Sequence, residues 1–314
     1  MYRPDYKLSV VVPAYNEEAV LDLFYQKMTE VLKGFGCDYE LIFVDDGSAD
    51  ATWAKLAALS EADARVVALR FARNFGHQTA VTAGMDAATG DAVVVIDADL
   101  QDPPEVIGEM IERWKEGYDV VYGKRLKREG ESFFKKFTAA VYYRLLHFMS
   151  ASDIPLDTGD FRLLDRRVVD AMCAMREHNR FLRGLSAWTG FSQCAVEYVR
   201  HERAAGSTKY TLKKMLRLAG DGIIGFSSKP LTLSFWVGCG VCSLTLCAML
   251  ALLIVQIVRG FSLLPWVFAL LFLLVGGVFV ALGAVGAYLA RVYDEVKGRP
   301  LYLLSEEKNR SLRS

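Results

Sequence analysis

The chain has no excess of charge of either sign: 37 Lys and Arg stand against 37 Asp and Glu in 314 residues. A basic field of the kind that drives nucleic-acid binding by counterion release is therefore missing, and nucleic acid is not an expected partner. No Gly-x-x-x-x-Gly-Lys occurs, which leaves a P-loop unsupported. Histidine is scarce, with four residues, and His147, His178 and His201 share no metal-ligand spacing. The six cysteines are scattered, and Cys239-x-x-Cys242 lies in an apolar stretch without the polar partners a metal or redox pair needs. They read as small core residues. The amino end also lacks the build of an export signal, because Met1 to Lys7 leads into a short β-like run, Leu8–Val12. The large domain is expected to stay in the cytoplasm.

Charged residues are ordinary at 24%, yet 53% of the chain is hydrophobic, so the apolar residues must be unevenly placed. Between Leu231 and Ala290 the one charged residue is Arg259, whereas the first 229 residues read as a soluble domain. Leu231–Val258 and Phe261–Ala290 each exceed the ~20 residues that cross ~30 Å of hydrocarbon. Two antiparallel transmembrane helices joined at Arg259-Gly260 are expected. Lys209, Lys213, Lys214, Arg217 and Lys229 precede the first, and Arg291, Lys297 and Arg299 follow the second. That asymmetry places both outer flanks, and both termini, on the cytoplasmic side of a multi-pass protein of the cell (inner) membrane.

Thr211–Phe226 carries Lys213, Lys214 and Arg217 among apolar residues and reads as an interfacial helix. Phe133–Met149 is amphipathic too, and fits either a helix packed on the sheet or one lying on the membrane surface. The expected divisions are a catalytic domain over 1–210, the interfacial helix over 211–229, two membrane helices over 230–290 and a cytoplasmic tail over 291–314.

Within the soluble part, Val- and Ile-rich runs at Leu8–Val12, Leu41–Val44, Val66–Phe71, Ala92–Ile96 and Val120–Tyr122 alternate with helical patterns. This predicts α/β architecture with βαβ units and a mostly parallel sheet. Helix starts follow the strands closely, at Asn16-Glu17-Glu18, Ser48-Ala49-Asp50 and Pro103-Pro104-Glu105, with residue types suited to capping or a first turn. Polar residues thus gather at the carboxyl ends of strands, the edge where open α/β sheets bind ligands.

Asp97-Ala98-Asp99-Leu100-Gln101 is the most informative segment at that edge. Two carboxylates two residues apart and an amide oxygen two further on can offer hard oxygen ligands to Mg²⁺ or Mn²⁺, which in turn holds a diphosphate. Asp45-Asp46-Gly47-Ser48 and Pro13-Ala14-Tyr15-Asn16-Glu17-Glu18 end two more strands. An acidic residue there can accept from ribose or base, and a tyrosine can pack on a base face. His77 stands after Gly76 at a helix start, where it either meets phosphate or only begins the helix.

Those segments, with Arg73-Asn74-Phe75-Gly76-His77-Gln78 and Asp157-Thr158-Gly159-Asp160-Phe161-Arg162-Leu163, come in an order and spacing that resemble the polyprenyl-phosphate glycosyltransferases of family 2. The group includes dolichyl-phosphate mannose synthases and the bactoprenol glucosyltransferases, which carry two carboxyl-terminal membrane helices. The resemblance spans essentially the whole chain and implies a GT-A type nucleotide-sugar-binding domain. It also implies a nucleotide-diphospho-sugar donor, a divalent metal, a lipid-phosphate acceptor and inversion at the anomeric carbon.

Carried over by motif, Pro13, Tyr15, Glu17 and Asp46 would hold the nucleoside. Asp97 would sit near ribose and diphosphate, and Asp99 and Gln101 would be the main metal ligands. Gly123-Lys124-Arg125 resembles the family's phosphate-meeting turn, and Arg203 to Tyr210, with Lys209, resembles its mobile active-site loop. Lys135 and Lys136 occupy the place of an acceptor-phosphate segment. Asp160 and Asp157 stand where relatives that glycosylate hydroxyls keep a base. A phosphate monoester is already largely ionised near neutral pH and barely needs one, which points to an orienting or acceptor-side role ahead of proton abstraction; capping the helix near Asp165 is the alternative.

UDP-glucose is the expected donor, with GDP-mannose and UDP-N-acetylhexosamines as alternatives, and a non-catalytic lipid-phosphate scaffold is the rival of another class. A processive polysaccharide synthase would carry Gln-x-x-Arg-Trp, which is absent. The tail from Asp294 to Tyr302 could reach a second subunit of a homo-oligomer.

Overall fold

A computed structural model of the chain describes residues 5–126, 158–199 and 264–310, together with Gly240, Ser243 and Cys247. The α/β domain is built on strands β1 (Lys7–Ala14), β2 (Asp38–Asp45), β3 (Val66–Phe71), β4 (Ala92–Val95), β5 (Val120–Arg125), β6 (Thr158–Asp165), β7 (Gln193–Tyr198) and β8 (Leu304–Lys308). They form one sheet in the order β7-β5-β6-β4-β1-β2-β3-β8. The centre, β4-β1-β2-β3, is parallel, β7 is parallel to β5, and β6 and β8 run against their neighbours. The expectation of a mostly parallel sheet therefore holds.

Central strands buried on both faces explain the unbroken apolar runs. Leu8, Val10 and Val12 point to one side, where they pack with helices α1 (Leu21–Gly34), α2 (Thr52–Ala62) and α4 (Val106–Lys115). Val11, Ile42 and Val44 point to the other, against α3 (His77–Ala87), α5 (Arg166–Ala174) and α6 (Leu182–Trp188). Because β6 is antiparallel, its first residues lie at the same edge as the carboxyl ends of β1, β2 and β4. Val95 pairs with Arg162, so the chain just past Val95 runs beside Asp160.

The helix starts differ from expectation. No side chain caps α1, α2 or α4. The polar residues before α1 and α2 instead bond across to each other's loop: Ala49 N–H donates to Asn16 Oδ1 (2.9 Å), Asn16 N–H to Ser48 Oγ (2.9 Å), Glu17 N–H to Thr52 Oγ1 (2.9 Å) and Ala51 N–H to Glu18 Oε2 (2.8 Å). Two neighbouring helix entrances thus satisfy one another's orphan donors.

Helix α7 (Leu264–Val296) overlaps the expected second span and runs six residues past it. Its Leu273–Val296 stretch, 24 residues with mean hydropathy 2.2 and no burial, is about 36 Å long, enough to cross a bilayer. Among the described residues it is the one helix with that length and apolarity. The expected first span, apart from helical Gly240, Ser243 and Cys247, lies outside the described residues, as do the segments 133–149 and 211–226.

After α7 the chain returns to its own domain. Tyr302 stacks on Phe71 with ring centroids 5.2 Å apart and donates its hydroxyl to Asp86 (2.8 Å), and β8 then pairs with β3. His178 donates its backbone N–H to Glu295 Oε1 (2.7 Å), and its ring contacts Glu295 Oε2 and the Arg299 carbonyl.

Candidate active site

The strand-end edge gathers Tyr15, Asp45, Asp46, Asp97, Asp99 and Gln101, and the fold brings His77 from the start of α3 and Asp160 from β6 to the same edge. Each is placed by a local reason. Asn16 (φ 54°) and Leu100 (φ 57°) lie in the left-handed region that non-glycine residues rarely adopt. Leu100 is held there by burial of its side chain in the core, 7% exposed, and it turns the chain between Asp99 and Gln101. Gln101 N–H donates to Asp99 Oδ1 (3.1 Å). Pro13 is buried as part of β1, Tyr15 is 39% exposed on the rim and Glu17 is half-buried.

Asp46 is buried, and both carboxylate oxygens accept from backbone: Phe75 N–H at 2.7 Å and Gly76 N–H at 3.0 and 3.1 Å. It shapes the loop before α3. Burial pushes its carboxyl up, against the pull of those donors. Asp45 accepts from Ser48 N–H (2.9 Å) and faces Arg70 Nε at 3.5 Å.

At the centre, His77 Nε2 lies 3.3 Å from Asp160 Oδ2 and 3.7 Å from Asp97 Oδ1. The ring both begins α3 and turns into the site, toward carboxylates. Burial alone would lower its pKa; the Asp160 hydrogen bond and the charges of Asp97 and Asp160 win and lift it to about 9. Burial raises the Asp97 carboxyl, opposed by His77 and reinforced by Asp160, Asp102 and Asp99. With 35% of its side chain open, Asp97 can still meet a ligand.

Asp160 is more enclosed, at 13%. It accepts from Arg183 Nε (2.8 Å), Gln78 Nε2 (3.1 Å) and His77. Burial works against its charge, but Arg183 and His77 overcome that and hold the carboxyl well below the usual range. The group is a fixed anion. The capping role near Asp165 falls to Asp165 itself, which accepts from Arg167 N–H (3.0 Å).

Arg125 faces buried Asp102 at 3.6 Å and donates to the Tyr198 hydroxyl (3.2 Å), which itself donates to Asp102 Oδ1 (2.6 Å). A Cβ on Gly159 would lie 2.6 Å from the Arg125 guanidinium, so a side chain there would push this arginine from its place across the start of β6. Arg125 thereby anchors the segment that follows Gln101. Asp157, Lys135, Lys136, Arg203 and Lys209 lie outside the described residues. Sequence alone marks neither Gln78 nor Arg183 as functional: an amide after His77 has no pattern of its own, and the partner of Arg183 is 23 residues away and meets it only in the fold.

Among the described residues no three His, Cys, Asp or Glu side chains form a cage for a metal. Asp97, Asp99 and Gln101 are a partial set of two carboxylates and one amide oxygen. Mg²⁺ is commonly bound by one or two carboxylates with the rest supplied by substrate phosphates and water, so the donor chemistry fits.

The model of glycosyl transferase family 2 matches residues 9–173, a span that takes in β1 from its third residue, all of β2 to β6, and the site residues described above except Arg183 and Tyr198. The chain is a family 2 glycosyltransferase. An uncharacterized glycosyltransferase of Bacillus subtilis (strain 168), YkcC, is 53% identical over 95% of this chain and 93% of its own length. The bactoprenol glucosyl transferase of Shigella phage SfX is 40% identical over 96% of this chain and all of its own. Among solved structures, mannosyl-3-phosphoglycerate synthase from Rubrobacter xylanophilus is similar with a TM-score of 0.47 and 17% identity, covering 69% of this chain and 71% of that one. Family membership makes the chain an enzyme that transfers sugar.

Proposed function

We propose that this family 2 enzyme moves one glucosyl group, with inversion, from UDP-glucose to polyprenyl phosphate at the cytoplasmic face of a membrane. The observation that carries the reading is the fastening of a bilayer-length apolar helix to the catalytic domain, by Glu295 to His178 and by β8 to β3. A soluble acceptor would need no such helix. The 40% identity to proteins named bactoprenol glucosyl transferase supports the same acceptor and sugar.

Tyr15 and Glu17 are assigned to base and ribose, with Pro13 and Asp46 shaping the loops around them. Asp97, Asp99 and Gln101 would hold Mg²⁺ or Mn²⁺, which supplies positive charge to the diphosphate as it departs. His77 adds a cation beside Asp97. Asp160, already saturated by donors, orients and does not take a proton; the acceptor phosphate, with a second pKa near 6, is ionised without a base. Arg203 and Lys209, with Lys135 and Lys136, are assigned to the acceptor phosphate, while Arg125 braces the metal segment. Both termini are assigned to the cytoplasm, with two membrane helices between.

Purified enzyme incubated with radiolabelled UDP-glucose, GDP-mannose and UDP-N-acetylglucosamine, each with undecaprenyl phosphate, tests the reading. Label is expected in the lipid phase from UDP-glucose. Label from another donor, or none in lipid, would refute it.

A further inference from the structure

Asp160 is the most heavily bracketed carboxylate at the site. Its Oδ1 accepts from Arg183 Nε at 2.8 Å; its Oδ2 accepts from Gln78 Nε2 at 3.1 Å and lies 3.3 Å from His77. The three partners come from two elements. Gln78 and His77 stand in the first turn of α3, and Arg183 in the first turn of α6. Gln78 also locks those elements together, because its Oε1 accepts the Leu182 N–H at 2.9 Å while its Nε2 holds Asp160. A single amide side chain therefore fixes both the carboxylate and the start of the helix that delivers Arg183.

A carboxylate in water would rotate about its side-chain torsions. Here rotation breaks a charge-assisted bond on one oxygen or an amide bond on the other, and each charge-assisted bond is about twice as strong as a neutral one. The His77 ring takes its direction from Asp160 in turn, and its Nε2 lies 3.7 Å from Asp97 Oδ1.

We propose that Arg183 is a positioning residue of this glycosyltransferase, which with Gln78 fixes Asp160 and through it the His77 ring beside Asp97. The assignment rests on the proposed function for its acceptor and donor, though not for its geometry. Arg183 does not touch substrate in this assignment. Its loss should slow transfer while leaving the nucleotide pocket, lined by the β1 and β2 loops, intact.

The test measures turnover and nucleotide affinity in the detergent-solubilised full chain. Arg183→Ala should lower kcat by about 100-fold, the cost expected when a reacting group is misplaced by about an ångström, with UDP affinity by calorimetry unchanged within threefold. Millimolar guanidinium or ethylguanidinium should restore at least tenfold of the loss, because the planar cation refits the space the side chain vacates; a merely structural arginine would not be rescued this way. Arg183→Lys, which keeps the charge without the planar fork, should fall between. Should Arg183→Ala not fold, Gln78→Met takes its place, with kcat expected to fall about tenfold at unchanged UDP affinity.

An unchanged kcat, equal losses in kcat and UDP affinity, or no guanidinium rescue of a folded Arg183→Ala would overturn the assignment. The proposed function fails separately, when the wild type does not move glucose to undecaprenyl phosphate. The ratio of variant to wild type is then taken with the donor and acceptor on which the wild type turns over.

Discussion

Tyr198→Phe removes one oxygen from the end of β7 and should disturb both stability and metal use. The hydroxyl donates at 2.6 Å to Asp102 Oδ1, and the Asp102 side chain is 1% exposed, so water cannot replace the lost donor without opening the site. A hydrogen bond to a charged group contributes about 1.5–3 kcal/mol. Arg125, left at 3.6 Å, offsets part of the deficit. A net loss of about 2 kcal/mol corresponds to a fall in Tm of about 6 °C for a domain of this size. Asp102 follows Gln101 directly, so a looser Asp102 also loosens the segment that carries Asp97, Asp99 and Gln101. The Mn²⁺ concentration for half-maximal transfer should rise about tenfold, in the range seen when outer partners of metal ligands are removed. Thermal melts with and without Mn²⁺, run beside a Mn²⁺ titration of activity, measure both. A Tm within about 1 °C of wild type together with an unchanged Mn²⁺ requirement would refute the view that this hydroxyl anchors the metal segment.

Three further outcomes follow from the geometry. Asp99→Asn should remove most transfer with little change in Tm, and excess chelator should do the same to wild type; full activity in either case would remove Asp99 from the metal assignment. The His77 imidazolium stabilises the fold fully below its unfolded value of about 6.5, and that contribution fades as pH climbs through about 9, since its folded pKa is raised. The urea midpoints of wild type and His77→Gln should therefore converge between pH 6.5 and 9, and a constant gap would contradict the ion pair. Gly84→Ala should destabilise by about 1–3 kcal/mol by overpacking, because its Cβ would lie 2.2 Å from Val11 Cγ1 in the centre of β1; a neutral effect in denaturant melts would show that β1 can shift.

Much of the sheet was legible because strands buried on both faces must be apolar throughout, and β1 to β5 announce themselves as Val and Ile runs. Strands β6 and β8 did not. Thr158–Asp165 carries two aspartates and Arg162, whose buried guanidinium donates from its two terminal nitrogens to Ser186 Oγ and the Gly159 carbonyl, contacts that exist only after folding. Leu304–Lys308 is charged along most of its length, as befits an edge strand, and nothing in its composition marks it as part of a sheet. The carboxylates of the site were legible from their place after strands. Their partners were not: Asn16 and Ser48 have the chemistry of ordinary helix caps, and only the neighbouring loop makes them cap each other. Arg125 reads as a phosphate contact by motif, while the fold gives it a buried aspartate to hold.

The return of β8 to the sheet sets an order of events during synthesis. Ala68 on β3 finds its partner Lys308 some 240 residues later, on the far side of the apolar helix. Chains are made from the amino end at about 5–20 residues per second, so the flank of β3 stands bare for about 12–48 s while the rest of the protein is produced. A bare flank of that kind can pair with a neighbouring nascent chain. The charges on β3 and its surroundings, Arg65 and Arg70 among them, then serve a second purpose: they keep the edge in water until Glu306 arrives to meet Arg70 at 2.8 Å. Removing β8 should therefore leave a fold complete in its core and prone to self-association at one edge.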